Sequence, residues 1–171
     1  MSNFVFLEIA DDKYVRNGFH SKGEFQVAES LLRVQCVVQD LQSCLATPAD
    51  SAARAQLLRT DFPPELVREM ESLMDHYAGL LPPLTKFILP GGTELAGAVH
   101  IARCVCRRAE RRIVRVMQVA STRRQQQLHA PLQYINRLSD VLFLLARYET
   151  HRSGVPEVEY QKPKGPRTTG S

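Results

Sequence analysis

Arg103, Arg107, Arg111 and Arg115 recur every four residues, with Arg108 and Arg112 beside them. At helical pitch such residues stack along one stripe. Guanidinium forks at that spacing suit bidentate binding of phosphate or carboxylate. From 103 to 124 the chain has eight arginines and one acid, Glu110, a net of +7 that leaves −3 for the rest of a +4 chain. Like charges four apart on a helix cost roughly 0.2–0.5 kcal/mol per pair unless something answers them. The answer is either acidic side chains or a polyanion. The plain alternative is a solvated helix back, but the run is all arginine in a chain that also uses lysine. It is preceded by Gly91-Gly92-Thr93, a helix start whose free N–H groups and positive dipole end favour an anion. A second set, Asn136, Asp140, Phe143 and Arg147, follows 4-3-4 spacing. Asp140 is placed to pair with an arginine, and Asn136 offers an amide able to read a hydroxyl or a base edge.

No convincing nucleophile–base–acid triad stands out in the sequence. His100 and Cys104 share a helical face and could form half a metal site, but no second pair accompanies them, so no metal site is expected. The four cysteines (Cys36, Cys44, Cys104, Cys106) fall inside periodic apolar segments and read as buried free thiols of a reducing compartment. Cys104 and Cys106, two apart, point in different directions on a helix and are no zinc knuckle.

These residues need elements to carry them. Val27, Leu31, Val34, Val38, Leu41 and Leu45 give a seam of 4-3-4-3-4 spacing over 24–46, ended by Thr47-Pro48. A second helix is expected after Asp61 as its cap, with Pro63 and Pro64 in the first turn and a seam of Leu66, Met70, Leu73, Tyr77 and Leu80. Pro82-Pro83 forces an extended connection to Pro90. The arginine helix runs from Gly91-Gly92-Thr93 to about Val119 on a seam of Leu95, Val99, Ala102, Cys106, Ala109, Ile113 and Val116. Ser121 to Gln127 reads as a polar linker. A last helix, about Pro131 to Thr150, buries Ile135, Leu138, Leu142, Leu145 and Tyr148. Residues 4–10 fit a strand or a helix remnant equally well. From Arg152 the sequence is rich in Pro, Gly and Lys without periodicity. The expected organisation is thus a helical bundle over 1–150 and a disordered tail over 151–171.

The chain is 171 residues long and 44% hydrophobic, enough for one substantial core. No apolar run approaches the roughly 18 residues of a membrane span. Nothing alternates at period two for long, so the expected class is all-α, an up-and-down helical bundle. A nucleic-acid-binding module would explain the +7 window, but no aromatics interleave with the arginines. Neither nucleic acid nor a membrane is expected as a partner.

Three blocks carry a resemblance: Phe87-Ile-Leu-Pro-Gly-Gly-Thr93; Arg103-Cys-Val-Cys-Arg107-Arg108-Ala-Glu110-Arg111-Arg112; and Asn136-Arg-Leu-Ser-Asp140 with Ala146-Arg147-Tyr148. In this order and spacing they resemble the PduO-type ATP:cob(I)alamin adenosyltransferases, over about residues 25–150. The resemblance implies a five-helix bundle, a homotrimer with sites between subunits, and transfer of the 5′-deoxyadenosyl group of ATP (with Mg2+) to the Co(I) of a corrinoid. It assigns Arg107, Arg111 and Asn136 to ATP. Arg103 would make an ion pair across the interface, and Glu110 and Asp140 would orient the arginine network. Phe87, Gly91, Gly92 and Arg108 would meet the corrinoid, with Phe87 keeping the lower axial ligand off cobalt. No residue is assigned to a resident metal. The family's T-R-x-G-D-x-G-x-T loop and D-E-L-N helix are not found here, and Val141 stands where the family often has tyrosine. Two expectations follow: an adenosyltransferase, or an inactive corrinoid-binding relative truncated at its N-terminus. The compartment expected is mitochondrial in a eukaryote and cytoplasmic otherwise.

Overall fold

The computed structural model describes residues 22–163, with side chains from Glu29 onward. The 4–10 segment, the side chain of Val27 and the last eight residues of the tail lie outside that range. Five helices follow one another: α1 (Lys22–Ala46), the short α2 (Arg54–Arg59), α3 (Glu65–Gly79), α4 (Glu94–Val119) and α5 (Thr122–Arg152). No strand forms among the described residues; one isolated antiparallel bridge joins Ile88 to Glu159. The fold is all-α.

α5 is the hub. It packs most extensively on α4, then α3, then α1. Its inner residues Leu128, Tyr134, Leu138, Val141, Leu142, Leu145 and Ala146 are almost fully buried. Around them close Leu31, Val34, Val37, Leu41 and Cys44 of α1, and Leu66, Val67, Met70 and Tyr77 of α3. α4 contributes Ala96, Val99, Ala102, Cys106 and Ile113. The α1 seam is rotated by one position from the spacing-based one: Val37 and Cys44 are buried more deeply than Val38 and Leu45. Leu80 and Val116, expected in their seams, are exposed: Leu80 stands at the C-cap of α3, and Val116 faces outward between the inward-facing Ile113 and Met117.

Three expectations change. Ser121–Gln127 is not a linker but the start of α5. The Ser121 hydroxyl caps the helix by accepting from the Arg124 N–H at 3.1 Å and donates to Asp50 at 2.6 Å. The helix then runs through Pro131, although an interior proline removes a backbone bond and typically costs about 3 kcal/mol. Burial of Leu128 and Pro131 and the anchoring of Arg124 and Gln127 outweigh local propensity. The Arg124 guanidinium donates to the carbonyls of Cys44 (3.3 Å), Leu45 (2.6 Å) and Thr47 (3.1 Å), closing the C-terminal end of α1. Gln127 donates to the Thr47 carbonyl at 2.8 Å and accepts from the Ala49 N–H at 3.0 Å.

Asp61 does not cap α3. Pro64 stands at the cap, and the carbonyls of Pro63 and Pro64 take the first N–H groups instead. The segment after Arg152, expected to lack order throughout, is tied to the rest of the molecule from Val155 to Tyr160. Buried Arg147 forks onto Glu157 at 2.7 and 3.2 Å and reaches the Pro82 carbonyl at 3.2 Å.

The candidate anion and corrinoid site

Thr93 caps α4, accepting from the Ala96 N–H at 3.1 Å. Gly92 is required just before it. Its φ is +100°, and a Cβ there would meet the Thr150 hydroxyl at 2.1 Å. Gly92 thus sets the close approach of this loop to α5, whereas Gly91 lines a cavity of about 370 Å³ with His100, Arg103, Cys104 and Arg108.

On the facing turns of α4 and α5, Glu110 organises the polar centre. Its half-buried carboxylate accepts from Arg107 Nη1 and, at 3.0 Å, from Asn136 Nδ2. The Asn136 side-chain oxygen accepts from Arg137 at 3.4 Å, and Arg137 reaches Glu71 of α3 at 3.3 Å. One carboxylate therefore fixes an arginine and an amide from two helices. The partly exposed Arg107 guanidinium keeps free N–H capacity for a further anion.

Arg103 lies one turn toward the N-terminus. Its guanidinium carbon sits 5.2 Å from the centre of the Phe143 ring, within cation–π range, while its buried Nε has no hydrogen-bond partner among the described residues. His100 Nδ1 is likewise buried and unpartnered, and its ring tilts against Phe143 at 6.4 Å. Burial, then the nearby Arg103 charge, lowers the His100 pKa from its ordinary 6.5, keeping the imidazole neutral near pH 7. The buried Arg103 Nε, an obligate donor, lacks an acceptor, and the His100 Nδ1 beside it lacks a partner, among the described residues.

The expected residues divide into groups. Arg107, Glu110 and Asn136 are brought together. Gly91, Arg108 and Arg103 share the cavity wall. Arg111 and Arg115 are exposed, with no ion pair among the described residues. Asp140 does not pair with an arginine of α4 as its spacing suggests: Arg103 turns to Phe143 and Arg107 to Glu110, so Asp140 forms no ion pair there. Arg124 and Arg147 leave the anion-binding set altogether. Phe87 stands 85% exposed on the extended segment before α4. His100 and Cys104 both line the cavity, but no third metal ligand joins them among the described residues.

Of the cysteines, all free, Cys44 and Cys106 are buried as expected, while Cys36 and Cys104 are exposed. The Cys106 thiol donates to the Ile135 carbonyl at 3.1 Å, and burial pushes its pKa up to about 12. It is structural. Sequence reasoning did not place Phe143 under Arg103; the shared face of His100 and Arg103 was the available signal.

The fold and site define an all-α protein in which one carboxylate joins an arginine and an amide from two helices, beside an open cavity. The sequence profile of the family described as cobalamin adenosyltransferase matches residues 12–149. The chain belongs to that family. It is 45% identical over 135 residues to the human corrinoid adenosyltransferase MMAB, covering 79% of this chain and 52% of that one. To the Bacillus subtilis corrinoid adenosyltransferase it is 44% identical over 99 residues, 57% of this chain and 48% of that one. A solved variant of the Lactobacillus reuteri PduO-type ATP:corrinoid adenosyltransferase, complexed with cobalamin and ATP, superposes with a TM-score of 0.70 at 31% identity, covering 94% of this chain and 84% of that one. The chain spans about half the length of the mammalian relatives it matches.

Proposed function

We propose that the protein transfers the 5′-deoxyadenosyl group of ATP to the cobalt of a reduced corrinoid, forming adenosylcobalamin. The observation that carries this is Glu110 joining Arg107 of α4 to Asn136 of α5, at the positions of two family blocks. In this reading Co(I) is the nucleophile. It attacks the 5′ carbon of ATP, the C5′–O bond breaks, and the electron pair leaves on tripolyphosphate. No side-chain nucleophile or base is needed. The chain's contribution is positioning and charge stabilisation.

Arg107, with Arg111 behind it, neutralises the polyphosphate. Glu110 holds Arg107 in its rotamer, and Asn136 contacts the nucleoside. Arg103 and His100 present unpaired N–H or ring-nitrogen atoms that a carboxylate of a neighbouring subunit would answer, which supports a homotrimer with sites between subunits. Asp140 adds negative charge that steers the arginines. Gly91 and Arg108 line the cavity proposed for the corrinoid, and Phe87 meets its lower face; Gly92 acts indirectly by seating the loop. Mg2+ is proposed to arrive with ATP, because it keeps most of its waters and binds chiefly through substrate phosphates.

No described helix is long and apolar enough to cross a membrane. A mitochondrial location in a eukaryote, or a cytoplasmic one otherwise, is part of the proposal. The test is anaerobic mixing of the protein with reduced cobalamin and MgATP. Appearance of the adenosylcobalamin spectrum is the expected result. Corrinoid binding without any ATP-dependent spectral change would replace this reading with the inactive corrinoid-binding one.

A further inference from the structure

Phe87 poses a problem of physical chemistry. A large apolar side chain that is 85% exposed, on a proline-flanked segment outside any helix, has almost nothing of its own to hold it in place. Its backbone, however, is held. The Phe87 carbonyl accepts from the Tyr160 N–H at 2.8 Å, and the Leu89 N–H donates to the Val158 carbonyl at 2.8 Å. These two bonds flank the antiparallel pair Ile88 and Glu159. Lys86 and Glu159 add an ion pair at 2.7 Å on the neighbouring positions. By the two-residue alternation of extended chains, Phe87, Leu89, Val158 and Tyr160 lie on one side of this short ribbon. All four are exposed.

A ribbon with two cross-strand bonds is marginal in water by itself. It is fastened to the bundle at its start, where the Val155 N–H donates to the Thr150 carbonyl at 3.1 Å, and again by one buried guanidinium. Arg147, 5% exposed on α5, forks onto Glu157 and also holds the Pro82 carbonyl. That single guanidinium ties together both strands of the ribbon, upstream of Phe87 and just before Val158. A desolvated pair of this kind is geometrically rigid, because leaving either charge unpaired is costly.

We propose that residues 155–160 form a strap that positions the Phe87 segment for the corrinoid, with Arg147 and Glu157 as its positioning residues. The proposal rests on the corrinoid reading of Phe87 given above. In it the strap lowers the ordering cost of binding by holding Phe87 in its bound place beforehand. Arg147 and Glu157 are engaged with each other and with Pro82, and in this proposal they act through Phe87 rather than on ATP or corrinoid directly. Their effect therefore falls on corrinoid affinity and leaves the nucleotide side alone.

Tyr160→Pro removes the N–H that bonds Phe87 while leaving the Arg147–Glu157 pair intact; Glu157→Gln weakens the anchor with a side chain of the same shape, and Glu157→Asp is the rescue. Two readouts are taken on the full chain. Hydrogen exchange at the Leu89 amide should accelerate at least about tenfold in Tyr160→Pro and Glu157→Gln, with α4 and α5 amides as slow as in the parent. The KM for reduced corrinoid should rise about tenfold with the KM for ATP unchanged, and Glu157→Asp should recover part of it.

An unchanged Leu89 amide would overturn the strap itself. A freed Leu89 amide with both KM values unchanged would overturn its positioning role, as would equal rises in both. If the parent protein neither binds nor adenosylates corrinoid, the functional reading fails and the positioning role with it, while the exchange measurement still decides whether the strap holds the segment.

Discussion

Arginines of two kinds sit within a few turns of one another. Arg108, Arg111, Arg112 and Arg115 on α4 are exposed and form no ion pairs among the described residues. Arg124 and Arg147 on α5 are buried and held, one by the carbonyls closing α1 and the other by Glu157 and Pro82. The side chain is the same; the difference lies in what each guanidinium is given to hold. Buried arginines fasten distant segments to the hub helix. The exposed ones leave their donors open to solvent and to an incoming anion. Arg107 stands between these cases, braced by Glu110 on one side and open on the other.

The sharpest way to break this division is to leave a buried arginine uncompensated. Glu157→Ala strands the buried Arg147 charge and should lower stability by about 3–5 kcal/mol, read by chemical denaturation. A loss under about 1 kcal/mol would show that Arg147 is not structural. Next in size, Arg107→Ala should reduce adenosyl transfer at least about 100-fold while stability changes by no more than about 1 kcal/mol. An equal fall in stability and activity would move Arg107 into the structural group.

Arg124→Ala should cost about 2–3 kcal/mol through the unsatisfied carbonyls at the end of α1. Arg115→Ala, its counterpart on the open stripe, should stay within about 0.5 kcal/mol. Matching losses would erase the distinction. Tripolyphosphate at ten times its Kd should stabilise the protein by about 1.4 kcal/mol, seen as a raised melting midpoint. Arg107→Ala should abolish that rise.

The smallest effect concerns His100, beside Arg103. Its folded pKa lies below 6.5, so the unfolded chain takes up this proton first as pH falls. Its contribution is complete above pH 6.5 and declines as pH drops through that value toward the lowered folded pKa. His100→Gln should flatten this limb of the stability–pH curve, and an unchanged limb would remove His100 as its source.

The helices were legible because their periodicity is strong: most of the α3 and α4 seams, and the start of α4 near Gly91-Gly92-Thr93, follow from spacing and side-chain chemistry. So were the members of the polar centre, Arg107, Glu110 and Asn136, and the family they imply. Their wiring was not. Spacing put Asp140 opposite an arginine, but whether two helical faces meet in register depends on how α4 rolls against α5.

The same limit hid the early start of α5. A Ser-Thr-Arg-Arg-Gln-Gln-Gln run reads as a linker until α1 places the backbone carbonyls of residues 44–47 within reach of Arg124 and Gln127. The segment from Val155 to Tyr160 is aperiodic because its order comes from the Val155 bond to the end of α5, one ion pair and a two-bond ribbon, none of which leaves a repeat.

The amino-acid sequence by itself determined the helical class, the concentrated arginine charge and the residue types at the site, since these depend on local spacing and side-chain chemistry. The tertiary structure alone decided which arginines are buried and bonded and which stay open, because that depends on long-range burial and on which carbonyls and carboxylates arrive beside them.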